Sequence, residues 1–288
     1  MNWQTLFLVA IGFAVMTTSS VAANKSDTET VSNQLPVKIY DRYLIVAEGS
    51  IGSLHGLRFL LDTGTSTTTV DRQVAKRVGL AGHRTQLVNF DKLVTVERTE
   101  VPELGLGPQQ AFNVTVMIED LRYLRAGDSA VDGIIGLDLL HRESFLVDYA
   151  ASRVVFGPAE TTGMHGAALR ANQTRVTVDA ELDGRHVWMI ADTGVLRTIV
   201  YERGPESILE NYRVQGRIVA QSMGGLVENR VVTVLQLRLG DQDLDRQVVF
   251  VAPPAGNNLN DVAGYLGPAS LNARQIVFDF KSNELRWK

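Results

Sequence analysis

Phe59-Leu60-Leu61-Asp62-Thr63-Gly64-Thr65-Ser66 sets bulky apolar residues ahead of an acid, a small hydroxyl residue and a glycine, and Met189-Ile190-Ala191-Asp192-Thr193-Gly194 writes the same core again. From average residue usage an Asp-Thr-Gly triplet arises at roughly one position in five thousand, so one copy says little and two in matched surroundings say much. The surroundings do match. Gly133-Ile134-Ile135-Gly136-Leu137 follows the first acid and Gly264-Tyr265-Leu266-Gly267-Pro268 the second, with Gly136 and Gly267 lying 74 and 75 residues past their aspartates. Phe145-Leu146-Val147-Asp148-Tyr149 and Gln275-Ile276-Val277-Phe278-Asp279-Phe280 come next, each aspartate twelve residues after its glycine. Three landmarks in one order at one spacing make an internal duplication of about 130 residues.

These paired stretches resemble the aspartic peptidases of the pepsin and retropepsin group, whose lobes each carry a strand ending in Asp-Thr-Gly or Asp-Ser-Gly and a distant apolar-apolar-Gly packed behind the acid loop. The likeness covers nearly all of the chain after about Val37, and its short, cysteine-free lobes are most similar to bacterial retropepsin-like proteins with both lobes in one chain. The resemblance implies an all-β fold of two similar β-barrel-like lobes with a cleft between them. It also implies peptide-bond hydrolysis with no cofactor, on a peptide or unfolded protein, with Asp62 and Asp192 as the catalytic acids. Thr63 and Thr193, on the same likeness, cross-link the two loops through their hydroxyls.

Two carboxyls within hydrogen-bonding reach share a proton, because both cannot easily ionise together. One then serves as base and the other as acid toward a water between them. Gly64 and Gly194 are expected to let the backbone turn tightly and aim N–H groups at the carboxylates. The copies part company at the next position: Thr65 offers a hydroxyl to Asp62, and Val195 offers none to Asp192. A substrate-covering flap is expected from each half, Asn89 and Phe90 in the first and Met223, Gly224 and Gly225 in the second, with the glycine pair supplying mobility. The first lacks the tyrosine usual in pepsin-type flaps. That departure and Val195 favour the rival reading, a non-catalytic peptide-binding protein on the same scaffold; two intact triplets favour the enzyme. Two half-sites in one chain make a monomer the expectation.

At 288 residues, two lobes each have room for a core. A net charge of −4 gives no electrostatic ground for nucleic acid as a partner. Zero cysteines exclude disulfides, thiolate nucleophiles and cysteine metal sites, and the five scattered histidines form no ligand pair. The apolar run Leu6 to Met16, followed by small residues up to Ala23, reads as an export signal over residues 1–23 and is too short to span a bilayer, which needs about 20 apolar residues. A periplasmic or secreted protein is expected. The remaining divisions are a flexible leader over 24–36, a first lobe over 37–158, a linker over 159–172 and a second lobe over 173–288.

Locally, Val176, Val178, Ala180 and Leu182 alternate along a strand, and Asp183-Gly184 before Val187-Trp188-Met189-Ile190 signals a hairpin. The first half shows the same arrangement as Tyr43 to Ala47, a break of glycines and serines from Gly49 to Gly56, and Phe59 to Leu61. Asp71 is placed to cap a short helix ending at Gly79, and Leu137 to Glu143 reads as a second. Val231 to Leu237 and Gln247 to Val251 read as strands.

Overall fold

The two acid-bearing strands are each the second arm of a hairpin, and everything else in the fold fixes where those arms end. Leu44–Ile51 pairs with Leu54–Leu61, and Val176–Leu182 pairs with Arg185–Ala191. Val176, Val178, Ala180 and Leu182 are all buried, as period-2 alternation requires of one face. The Asp183-Gly184 turn has φ of 45° and 80°, the double positive φ that matches strand twist in a two-residue hairpin. The break in the first hairpin is narrower than expected. Its strands run on through Gly49 and Gly56 and only Gly52-Ser53 turn, with a register shift between Gly49 and Ile51. The computed structural model describes residues 6–7, 33–89, 92–126, 129–202, 212–222, 225–253 and 261–288. Apart from Leu6–Phe7, the expected signal segment lies outside them, as does the leader up to residue 32.

The chain is nearly all-β and built from two repeats. In the first, Gly133–Ile135 lies parallel to Leu54–Leu61 and antiparallel to Thr69–Asp71, which in turn runs parallel to Gln109–Glu119. In the second, Gly264–Leu266 lies parallel to Arg185–Ala191 and antiparallel to Ile199–Tyr201, which runs parallel to Gln242–Ala252. Gly133 faces Phe59 and Gly264 faces Met189. The near-constant spacing in sequence is thus the loop length needed to return a strand beside the one that carries the acid. The long hairpins Lys92–Leu106 with Gln109–Glu119, and Gly225–Leu239 with Gln242–Ala252, complete the correspondence.

The repeats join through a six-stranded antiparallel sheet in the order Gln34–Tyr40, Arg153–Phe156, Phe145–Asp148, Gln275–Asp279, Glu284–Trp287, His165–Ala171. Its middle pairing sets Phe145 opposite Phe278, with the rings stacked 4.8 Å apart. Phe145, Phe278 and Trp287 are all buried in this sheet, and such rings remove large apolar areas from water. Two expected boundaries change here. The leader ends sooner, because Gln34 to Pro36 begin a strand and Leu35 is 1% exposed. Within the expected linker, His165–Ala171 is a strand of the junction rather than loose chain, since Ala167 and Leu169 bury alternate side chains.

The helix after the first acid loop spans Arg72–Arg77; the Asp71 carboxylate caps it by accepting from the Gln73 N–H at 2.7 Å, and Gly79 follows at φ 71°. The second expected helix is short, Leu137–Leu140.

Candidate active site

Each acid strand stops where its partner strand stops. Asp62 N–H donates to the Ile135 carbonyl at 3.0 Å and Asp192 N–H to the Leu266 carbonyl at 3.1 Å, so the apolar-apolar-Gly strand carries the loop at its shoulder. Gly136 and Gly267 then pass directly behind the loops. A Cβ on Gly136 would lie 2.8 Å from the Thr67 carbonyl carbon, and one on Gly267 2.7 Å from that of Arg197. Leu137 N–H donates to Thr65 O at 2.9 Å, and Ala269 N–H to Leu196 O at 3.2 Å, locking the backs of both loops.

The two loops meet through their threonines. Thr63 Oγ1 donates to Ala191 O at 2.7 Å and accepts from Thr193 N–H at 3.0 Å; Thr193 Oγ1 donates to Leu61 O at 2.8 Å and accepts from Thr63 N–H at 3.1 Å. Four bonds between groups that are all buried hold the loops as one unit. Each carboxylate also accepts from the glycine two residues on, Asp62 Oδ1 from Gly64 N–H at 2.8 Å and Asp192 Oδ1 from Gly194 N–H at 2.7 Å.

The glycines matter for a reason the sequence did not give. Neither Gly64 nor Gly194 has a positive φ. What each does is let its loop lie against the opposite acid: a Cβ on Gly64 would sit 2.2 Å from Asp192 Oδ2, and one on Gly194 2.4 Å from Asp62 Cγ. The two carboxyls are therefore side by side, 0% and 2% exposed. Their Oδ2 atoms are buried and accept from no N–H or O–H of the described residues; carboxyls this close share a proton because both cannot easily be charged.

Electrostatics say the same. Burial first, then the charge of Asp192 and a hydrogen bond with it, hold the Asp62 carboxyl well above the usual range, against the N–H groups of Gly64 and Thr65. Burial raises Asp192 too, to about 7, opposed by the bond from Asp62 and by the N–H groups of Gly194, Val195 and Gly64. The pair titrates as a unit.

Thr65 departs from expectation. Its hydroxyl is buried without a hydrogen-bond partner, so the Thr65 side chain gives Asp62 nothing that Val195 denies Asp192; both positions contribute backbone N–H groups instead. The difference between the halves lies behind the loops. Thr68 Oγ1 donates to Asp138 Oδ1 at 2.8 Å, whereas its counterpart Thr198 Oγ1 pairs with Ser270 Oγ at 2.7 Å. Asp138, an acid inside the apolar run Leu-Asp-Leu-Leu, is the residue of the sequence that marks this difference. The charge of the pair also reaches two tyrosines, Tyr123 and Tyr265. Burial chiefly raises both phenols, and the negative charge of the dyad adds to it, Asp62 at Tyr123 and both acids at Tyr265.

Of the flap candidates, Asn89 ends the strand His83–Asn89, which pairs with the start of Lys92–Leu106, and Gly225 opens Gly225–Leu239, facing Ser222. Both therefore flank hairpin tips. Phe90, Met223 and Gly224 lie outside the described residues.

No curated protein matches the chain at a significant level. A family model for aspartyl proteases matches residues 47–139 and 178–268, one span on each repeat and together more than half of the chain. Each span contains an acid strand, its loop and the glycine that backs it, and by that match the chain belongs to the aspartyl protease family.

Proposed function

We propose that the chain is an endopeptidase in which Asp62 and Asp192 activate a water for attack on a peptide bond. The observation that carries this is the mutual approach of each acid loop's glycine to the opposite carboxyl, at 2.2 and 2.4 Å for added Cβ atoms, which sets two buried carboxyls side by side. The ionised member takes a proton from the water as its oxygen bonds to the carbonyl carbon. The protonated member donates to the carbonyl oxygen, giving a neutral tetrahedral diol. Transfer of a proton to the amide nitrogen then lets the C–N bond break, leaving a carboxylic acid and an amine and a pair again holding one proton. The water is the nucleophile, so no covalent adduct with the chain forms.

One chain supplies both acids, which supports a monomer as the working unit. Export follows from the apolar N-terminal run, with residues 1–23 removed, and the substrate is a peptide or unfolded protein.

Peptide cleavage over pH 3 to 7 tests the reading. Cuts by the wild-type chain that disappear in Asp62→Asn and in Asp192→Asn are expected. Cuts persisting in either variant would place the chemistry elsewhere, and a folded chain that binds peptides without cutting them would be the non-catalytic relative.

A further inference from the structure

A polar cavity of ≈ 360 Å³ adjoins the first acid loop, and the hydrolytic steps leave it unused. Its volume is that of a small-molecule site, about 300 to 1,000 Å³. Ser66 and Thr67, four and five residues after Asp62, form part of its wall, with Thr115, Asp138, Arg98 and Arg142.

Its charge is unbalanced. Among the described residues Arg98 and Arg142 enter no ion pair. Arg98 Nε is buried without an acceptor, and Arg142 directs its Nε to the Asp138 carbonyl at 3.0 Å. Asp138, the lining carboxyl, is already engaged: it accepts from Thr68 N–H, Thr68 Oγ1 and Leu139 N–H at 2.8 to 3.1 Å. Two arginines thus line the space against one occupied carboxylate. A buried guanidinium N–H left without an acceptor is costly, and a carboxylate is the group that satisfies it, often through two parallel bonds.

The loop says where that carboxylate comes from. Ser66 and Thr67 lie no more than five residues of chain from Asp62, at most about 17 Å, a distance that an extended peptide also covers in about five residues. We propose that the cavity is a subsite for a carboxylate of the substrate, an acidic side chain or the terminal carboxylate, within about five residues of the scissile bond. The inference rests on the peptide-cleaving reading above, and makes the preferred substrate acidic on one side of the cut.

Matched peptides around one cut site, with Glu or Gln at each position in turn and the C-terminus free or amidated, test it on the whole chain. One position, or the free terminus, is expected to raise kcat/KM about tenfold over its uncharged partner, the size of a charge-assisted hydrogen bond. That ratio should fall toward one in Arg98→Gln and in Arg142→Gln; Arg142 is exposed, so the second variant reports even where the first fails to fold. No charge preference at any position, or one that survives in both variants, overturns the proposal. If the folded chain cuts nothing, the cleavage reading fails on its own, and calorimetric Kd values for the same pairs decide. Tighter Glu binding lost in the arginine variants upholds the subsite; equal binding overturns it. Inorganic phosphate that raises the wild-type melting temperature but not that of Arg142→Gln, without any peptide preference, would assign the cavity to a free anion and also overturn it.

Discussion

Replacing Asp62 by asparagine should stabilise the protein near neutral pH. In the unfolded chain this carboxyl ionises near 3.8, whereas in the fold the buried pair holds a proton well above that. A raised carboxyl pKa contributes stability that is present below the unfolded value and is lost as pH rises toward the folded one, because the native state binds a proton the unfolded state has released. The loss is about 1.4 kcal/mol for each pH unit over which the native pair keeps a proton that the unfolded chain has released. Asparagine is isosteric, donates to Asp192 and needs no proton, so the variant escapes this penalty. Melting curves of both proteins at pH 4, 5, 6, 7 and 8 measure it. The two should nearly coincide at pH 4, and the variant's advantage should widen with each unit toward pH 7, by roughly 2 to 4 °C per kcal/mol. A gap that stays constant with pH, or a variant that melts lower at pH 7, would refute the side-by-side arrangement.

Other substitutions probe the frame around the pair. Gly194→Ala places a Cβ 2.4 Å from Asp62 Cγ; we expect about 1 to 3 kcal/mol of destabilisation and at least a hundredfold loss of kcat/KM, read by urea unfolding and peptide cleavage. Thr193→Val removes the acceptor for Thr63 N–H and the donor to Leu61 O, both buried, and should cost about 2 to 4 kcal/mol in urea unfolding, with Thr193→Ser recovering most of it. Gly184→Ala forces a side chain to φ 80° at an exposed turn and should lower stability by about 1 to 2 kcal/mol with cleavage unaffected, which separates fold effects from site effects.

What the sequence made legible was whatever depends on spacing. The returns of Gly133 to Phe59 and of Gly264 to Met189 have a fixed loop length, so they survive as numbers in the sequence. The Asp183-Gly184 turn and the Asp71 cap were readable because local backbone geometry selects those residue types. Features set by tertiary contact were not. Nothing in Gly64 or Gly194 announces that the opposite acid fills the place of a Cβ, and a tight turn is what the residue type alone suggests. Thr65 looked able to support Asp62, yet its hydroxyl makes no hydrogen bond, because rotamer and loop path are decided by packing. Lys92–Leu106 mixes charged and apolar residues over fifteen positions, since its pairing changes along its length, and period alone does not mark such a strand. Ala167 and Leu169 read as linker because small side chains carry a weak pattern, although the junction sheet buries both.

The central claim is that Asp62 and Asp192 act as one catalytic unit, and a double-mutant comparison tests it most directly. Peptide kcat/KM would be measured for the wild-type chain, Asp62→Asn, Asp192→Asn and the double variant, each confirmed folded. Groups that work only together lose their effect at the first substitution. Each single change should therefore abolish nearly all cleavage, and the second should add little. Losses that multiply, or a single variant that keeps substantial activity, would contradict the account.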